Sequence, residues 1–385
     1  MGRLAAVVGI GQTNYQTKRD DVSIAGLVNE AARNALQDAD LTWDDIDAVV
    51  VGKAPDFFEG IVMPELYLAD ALGCNGKPML RVHTAGSVGG STANVAAQHV
   101  QSGAFDRVLT VCFEKQSEAN AMWALSTRRP FSMHLNAGAG GHFAPYIREY
   151  MARSKAPDHI GAMVAVKDRV NALKNPLAHL KISDISMDMV LESPMLWEPI
   201  RFLESCPSSD GACALIISNE ELATKSPNKP AWILGTAMRS ETMMAKGRYE
   251  VSPDGGRDCA KDLYSQVGVT NPRKEIDCAE IYVPFSWYEP MWLENLGFCD
   301  EDEGWKLTES GATAMDGDIP WNMSGGVLSS NPIGASGMIR YAEVARQVRG
   351  TAGDHQVDGA KLAVGHAYGA NAQFFAMWAV GSEKP

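Results

Sequence analysis

AGSVGG at 85–90 runs into STANVAAQHVQSG at 91–103, and NPIGASG at 331–337 runs into MIRYAEVARQVRG at 338–350. Each is a small-residue turn feeding a helix that closes on glycine, the residue favoured just past a helix C-terminus. Similar features surround both. LAAVVGIG (4–11) is a short apolar run closed by glycines and reads as a buried strand, and PAWILGTAM (230–238) answers it. VSIAGLVNEAARNALQDAD (22–40) sets Ile24, Leu27, Val28, Ala31 and Ala35 near a 3.6-residue period, and RDCAKDLYSQVGV (257–269) is its counterpart. Asp45-Ile46-Asp47-Ala48 in the first copy faces Glu275-Ile276-Asp277-Cys278 in the second, each leading into a strand. ELYLADALG (65–73) parallels MWLENLGF (291–298), and the strands RVLTVCF (107–113) and KLAVGHA (361–367) follow the two glycine-ended helices. Each copy is thus β-α-β-α-β, which predicts a mostly parallel sheet with helices on its faces.

A repeat this long is two fused half-domains rather than a solenoid. The halves are 1–229 and 230–385. The first carries an insertion at 114–229 with helical patches such as HIGAMVAVKDRVNALKN (159–175). The two glycine-ended helices are expected at the centre.

Of 385 residues, 45% are hydrophobic and 21% charged, as in an ordinary folded domain. With 34 Lys+Arg against 47 Asp+Glu the net charge is −13, a poor match for nucleic acid or an anionic membrane. No apolar run reaches 18 residues, so membrane insertion is not expected. The opening MGRLAAVVGIGQTNY reads as a first strand, not a signal peptide. Seven scattered cysteines without a CxxC pair point to a reduced, cytoplasmic protein and no cysteine-based metal site.

Gly9-Ile10-Gly11 is followed by Asn14 where a dinucleotide fingerprint needs glycine. Ala85-Gly86-Ser87-Val88-Gly89 sits between strand and helix like a nucleophile elbow but begins with alanine, and packing of small residues explains it better than a Ser87 nucleophile. SGGVLSSNPIGASG (324–337) could bring backbone N–H groups, Gly334 among them, to an anionic oxygen. In GHAYGANAQ (365–373), His366 and Tyr368 occupy alternate positions at a strand end and share a face.

With these segments, CPSSDGACAL (206–215) and AEIYVPF (279–285), the chain resembles the thiolase superfamily over essentially its full length. The likeness is to the sterol-carrier-protein-X, or non-specific lipid-transfer-protein, branch. It implies a thiolase fold: duplicated βαβαβ halves in an α/β/α/β/α arrangement. The family's catalytic motifs are altered. The nucleophilic cysteine position is Ala85, the second motif reads Tyr282-Val283-Pro284-Phe285, the third Ser330-Asn331-Pro332 and the fourth His366-Ala367-Tyr368-Gly369. Acyl transfer through a covalent thioester needs a thiolate, which alanine cannot supply.

The pattern most resembles the actinobacterial steroid side-chain-cleaving aldolases, although those have tyrosine where this chain has Asn331. The resemblance implies retro-aldol cleavage of a β-hydroxyacyl-CoA to a shortened acyl-CoA and a ketone or aldehyde. It also implies a homodimer and a separate OB-fold partner of the DUF35 type, of a kind that can carry zinc. Coenzyme A enters as the substrate's thioester, with no covalently bound cofactor. A thiolase-like acyltransferase or hydrolase and a non-catalytic lipid-binding protein are the alternatives. The expected catalytic residues are Tyr282, His366, Tyr368, His83 and Asn331, with Gly86, Ser87 and Gly334 around the oxyanion or substrate. Either Tyr282 or a histidine serves as base. An unperturbed tyrosine needs about 4 kcal/mol to ionise at neutral pH, whereas a histidine needs almost no shift.

Overall fold

In the computed structural model, which describes residues 2–55, 58–126, 136–243 and 247–385, strand β1 (Ala5–Gln12) is buried along its whole length. Helix α1 (Ile24–Ala39) lies against it with Leu27, Val28, Ala31 and Ala35 inward, and Ser23 caps it by accepting from the Gly26 N–H. The contact explains Gly9 and Gly11. A Cβ on Gly9 would stand 2.5 Å from the Ala35 carbonyl oxygen, and one on Gly11 2.0 Å from that of Ala31. These glycines admit a helix, not a dinucleotide.

The remaining strands are β2 (Ala48–Gly52), β3 (Met79–Val82), β4 (Arg107–Lys115), β5 (Asp210–Asn219), β6 (Ala231–Ser240), β7 (Cys278–Glu280), β8 (Leu362–Gly369) and β9 (Phe374–Gly381). Together with β1 they form a nine-stranded sheet in the order β3-β2-β4-β5-β1-β6-β9-β8-β7. The duplication is visible in that order: β2-β4-β5-β1 on one side repeats as β7-β8-β9-β6 on the other. The halves join where Ala6 and Val7 of β1 pair antiparallel with Trp232 and Ala231 of β6. Even β3 has an echo, a single parallel bridge between Ala279 and Trp321 beside β7.

The sheet is mixed, which corrects the expectation of a mostly parallel one. Among the described residues, only β2–β3, β2–β4 and β7–β8 pair as parallel strands. The second half has one strand more than the βαβαβ reading gave it, β9, and the first half two, β3 and β5. β9 returns directly from β8 through a short turn in which Ala370, Asn371 and Ala372 have positive φ. β5 comes from the far end of the insertion and threads antiparallel between β1 and β4. The segment 206–215 therefore belongs to the heart of the first half.

Helices α2 (Val88–Gln101) and α7 (Ile333–Arg349) pack on each other and on strands of both halves, while α1 and α5 (Asp254–Val267) cover the outer faces. This is the five-layer arrangement expected. The central helices meet at glycines: a Cβ on Gly89 would be 2.4 Å from the Met338 nitrogen, and one on Gly337 2.5 Å from the Gly90 nitrogen. The repeated acidic motif has a matching job in each copy. Asp47 accepts from the N–H groups of Asp106 (3.0 Å) and Arg107 (2.8 Å) at the start of β4, and Asp277 accepts from Lys361 (2.7 Å) and Leu362 (2.8 Å) at the start of β8.

The insertion supplies α3 (Gly138–Ser154) and α4 (His159–Lys174). α4 grips the loop before α7. Asn171 donates to the Asn322 carbonyl (3.1 Å), Asn175 to that of Ser324 (3.0 Å) and Arg169 to that of Leu328. The short α6 (Tyr288–Asn295) follows the IYVPF segment.

Candidate active site

The elbow before α2 brings two chain segments into backbone contact. Ala85 has φ 51°, the left-handed region that costs a non-glycine residue energy. Gly86 then passes so close to the end of β8 that a Cβ on Gly369 would lie 2.4 Å from the Gly86 nitrogen. Around this crossing opens a cavity of about 700 Å³. His83, Ala85, Gly86, Tyr282, Asn331 and Tyr368 line it, with Leu125, Phe143, Pro284, Phe285 and Ile333 forming apolar wall. Helices α2 and α7 both begin at its edge, Val88 two residues after Gly86 and Ile333 two after Asn331. Their positive N-terminal ends favour negative charge developing there.

Five sequence-derived catalytic candidates were expected to act together, and four line the cavity. Tyr282 is buried. Its hydroxyl donates weakly to Oδ1 of Asn331 at 3.4 Å, and its ring meets Tyr368 edge-on with centroids 5.5 Å apart. Burial first, and the neighbouring Cys206 next, push its phenol pKa above the ordinary value. It is therefore held as a proton donor. Asn331 is fixed on every side: Ser336 Oγ donates to its Oδ1 (2.6 Å), its Nδ2 donates to Cys206 Sγ (3.1 Å), its N–H to Ser209 Oγ (3.1 Å), and Gln116 donates to its carbonyl. Tyr368 is 2% exposed, with its pKa likewise raised by burial. Its hydroxyl is fully buried and lies beside that of Tyr288, the two phenols influencing each other's ionisation. His83 stands exposed at the cavity wall.

His366 is not at the cavity. It shares the face of Tyr368, as expected, with rings stacked 6.0 Å apart, but it lies behind that tyrosine against Trp292 and Phe375. It is fully buried, neither ring nitrogen has a hydrogen-bond partner among the described residues, and burial pushes its pKa down to about 3. Ser87 is also turned away. Its Oγ donates to the Thr84 carbonyl (2.7 Å), and its N–H is taken by the same oxygen (3.3 Å), leaving Gly86 as the cavity-facing member of that pair. Gly334 packs against the Phe113 carbonyl and Glu114 instead of the cavity.

Cys206 lines the cavity and was missed as a site residue. The sequence placed it only at the head of a family segment. What brings it to the wall is the Asn331 side chain and a backbone bond from its N–H to the Pro284 carbonyl (2.9 Å). Burial pushes its thiol up to about 11, opposed by the Asn331 N–H.

Residues 5–152 match the family described as Thiolase, N-terminal domain, and residues 237–378 the Thiolase C-terminal domain-like family. Among relatives, an acetyl-CoA acetyltransferase of Methanothermobacter thermautotrophicus is 30% identical over 376 residues, covering 95% of this chain and 96% of the relative. Sterol carrier protein 2 of Homo sapiens is 29% identical, covering 95% of this chain and 70% of the relative. The 17-hydroxy-3-oxo-4-pregnene-20-carboxyl-CoA lyase of Mycobacterium tuberculosis is 29% identical, with coverages of 90% and 92%. The solved structure of an Ltp2-ChsH2(DUF35) aldolase superposes with a TM-score of 0.84 at 27% identity, covering 100% of this chain and 99% of that one. Duplicated halves, central helices and full-length relatives agree: the chain belongs to the thiolase family, in the company of its sterol-carrier and steroid-lyase members.

Proposed function

We propose that the protein is a carbon–carbon lyase performing retro-aldol cleavage of a β-hydroxyacyl-CoA with a bulky, steroid-like β-carbon. The observation that carries this reading is the cavity itself: Tyr282, Asn331 and two helix N-termini border it, and Ala85 occupies the elbow where acyl transfer needs a cysteine. His83 takes the proton of the β-hydroxyl. The Cα–Cβ bond breaks as the oxygen becomes a ketone, and its electron pair moves into the thioester as an enolate. Gly86, Asn331 and the two helix ends stabilise the enolate oxygen. Tyr282, kept protonated by burial, returns a proton to Cα, and the Tyr368 ring packs edge-on against it and holds it in place. Roles for His366, Ser87 and Gly334 are confined to supporting the wall.

The mycobacterial lyase and the aldolase structure support this chemistry, and the aldolase's second component supports a DUF35-type OB-fold partner. A homodimer and a cytoplasmic setting belong to the same reading, and the seven unpaired thiols agree with a reducing compartment. The acetyltransferase relative favours acyl transfer instead, but no cysteine stands at the elbow to carry it. Sterol carrier relatives favour lipid binding without turnover. One experiment separates the three. The chain, with an OB-fold partner recovered from its own cells, is given 17-hydroxy-3-oxo-4-pregnene-20-carboxyl-CoA. Release of a 17-ketosteroid and a three-carbon acyl-CoA supports the lyase. Chain shortening that requires added free coenzyme A supports the transferase, and binding without products supports lipid carriage.

A further inference from the structure

Asn331 reaches the cavity from the loop before α7, and the insertion holds that loop from outside. Just past the end of α4, His179 donates its backbone N–H to Ser330 Oγ (2.9 Å), and Leu180 donates its own to the Ser329 carbonyl (3.0 Å). The His179 ring reaches further. Its Nδ1 lies 2.8 Å from Ser209 Oγ and its Nε2 3.0 Å from Thr17 Oγ1. Ser209 is joined to Asn331 twice. Its Oγ accepts the Asn331 N–H (3.1 Å), and its own N–H goes to the Asn331 carbonyl (3.3 Å).

Counting hydrogens fixes the state of the ring. Ser209 Oγ accepts from Asn331, so its own hydrogen needs an acceptor, and among the described residues His179 Nδ1 is the atom placed to take it. Nδ1 is therefore bare, and Nε2 carries the hydrogen and donates it to Thr17 Oγ1. The electrostatics agree. Burial first, and Arg169 of α4 next, lower the His179 pKa below its ordinary value against Asp210 at the start of β5, so the ring is neutral at pH 7.

We propose that His179 is a positioning residue: through Ser209 it sets how Asn331 presents its amide to the cavity. The inference rests on the reading that Asn331 and Tyr282 serve the cleavage. His179 stands outside the cavity lining and touches no substrate. Its bond to Ser209 keeps one end of the Asn331 amide toward the Tyr282 hydroxyl (3.4 Å) and the other toward Cys206 Sγ (3.1 Å). Without the Nδ1 acceptor the Ser209 hydroxyl must turn, and the lone pair it offers Asn331 turns with it. Small shifts matter, since a displacement of about 1 Å at a catalytic group can cost about 10²-fold in rate. Gln116 and Ser336 still hold Asn331 in place, so the loss falls on rate and not on folding.

The test measures kcat and KM for ketone release, with the partner present, in His179→Ala, His179→Asn, His179→Gln and Ser209→Ala, beside thermal unfolding of each. Asparagine places a carbonyl oxygen where Nδ1 stood, whereas glutamine reaches Thr17 and leaves Ser209 without its acceptor. Expected for His179→Ala and His179→Gln is about a tenfold fall in kcat with KM within about twofold, and for His179→Asn recovery to within about threefold of wild type. Adding His179→Ala to Ser209→Ala should cost nothing further. A second readout needs no turnover. The Asn331 N–H lowers the Cys206 thiol pKa, so iodoacetamide labelling of Cys206 at pH 8.5, read by peptide mass spectrometry, should slow about threefold in His179→Gln and recover in His179→Asn. Wild-type kcat in the Ala and Gln variants, an Asn variant as slow as they are, or additive losses overturn the proposal. Labelling indifferent to His179 overturns it whether or not a thioester is cleaved. If no protein, wild type included, cleaves the thioester while the labelling pattern holds, the lyase reading fails and the positioning role stands.

Discussion

Replacing Tyr282 with phenylalanine removes one oxygen atom and tests the proposed chemistry most directly. The structural cost is small. The hydroxyl's bond to Asn331 is 3.4 Å long, and that Asn331 oxygen keeps the 2.6 Å bond from Ser336. The ring keeps its edge contact with Tyr368. Losing a weak hydrogen bond without stranding its partner costs about 1 kcal/mol or less. The catalytic cost is larger. Removing a positioned proton donor slows turnover about 10²–10⁴-fold, or about 2.7–5.4 kcal/mol at 1.36 kcal/mol per tenfold. The apolar wall is untouched, so KM should change by less than about threefold and the loss should fall on kcat. The sign of the pH dependence is also set. Burial raises the phenol pKa above 10, so the hydroxyl stays protonated through pH 9 and the wild-type rate shows no rise near pH 10 from its ionisation. The assay follows ketone release with the partner present, alongside thermal unfolding of both proteins. Wild-type turnover in the Phe variant would refute the role. A wild-type rate climbing through pH 10 in step with tyrosine ionisation would refute the donor assignment and restore Tyr282 as base.

Ser87→Ala should leave kcat within about threefold of wild type, since its hydroxyl serves Thr84, and lower stability by ~1 kcal/mol; loss of turnover would revive a serine nucleophile. Gly337→Ala drives a methyl to 2.5 Å from the Gly90 nitrogen and should destabilise by ~1–3 kcal/mol or more in urea unfolding; an unchanged midpoint would mean the central helices part freely. The buried pair Glu343–His355 (2.8 Å) gives a two-sided pH profile. Glu343 is depressed from 4.5 to about 2, so its stabilisation is present above 4.5 and fades as pH falls toward 2. His355 is raised above 6.5 by Glu343 against its burial, so its contribution is full below 6.5 and fades as pH rises past its folded value. His355→Ala leaves a buried carboxylate with Gln12 as its one hydrogen-bond donor among the described residues and should cost ~3–5 kcal/mol at pH 6, with its high-pH decline abolished; a profile parallel to wild type between pH 4 and 9 would contradict the pairing.

The duplication was legible because each of its signals is local. Asp47 and Asp277 recur because a carboxylate that accepts two successive N–H groups must sit at a fixed place beside the strand it starts. Gly89 and Gly337 recur because two helices cannot approach so closely over a side chain. Strand direction was not local. β5 is a fully buried apolar run that would serve a parallel or an antiparallel sheet equally well. Its direction follows from where the insertion delivers the chain, and no residue within the strand records that.

The site was legible by face and not by depth. Alternation along β8 placed His366 and Tyr368 together, and they do stack. Only the packing of Trp292 and Phe375 decides that one ring reaches the cavity and the other is sealed behind it. Cys206 shows the converse, since a scattered cysteine becomes a cavity atom through Asn331, 125 residues away. Ala85 joins the two lessons. An alanine at φ 51° is less comfortable than glycine there and offers no chemistry of its own, yet the elbow persists. The bend keeps a use without its nucleophile. It lays Gly86 against Gly369 and aims the start of α2 at the cavity, and that position beside Tyr282 is what an enolate oxygen requires. With alanine at its apex the elbow cannot carry acyl transfer through a thioester, and it still provides the electrostatic frame that the proposed cleavage would use.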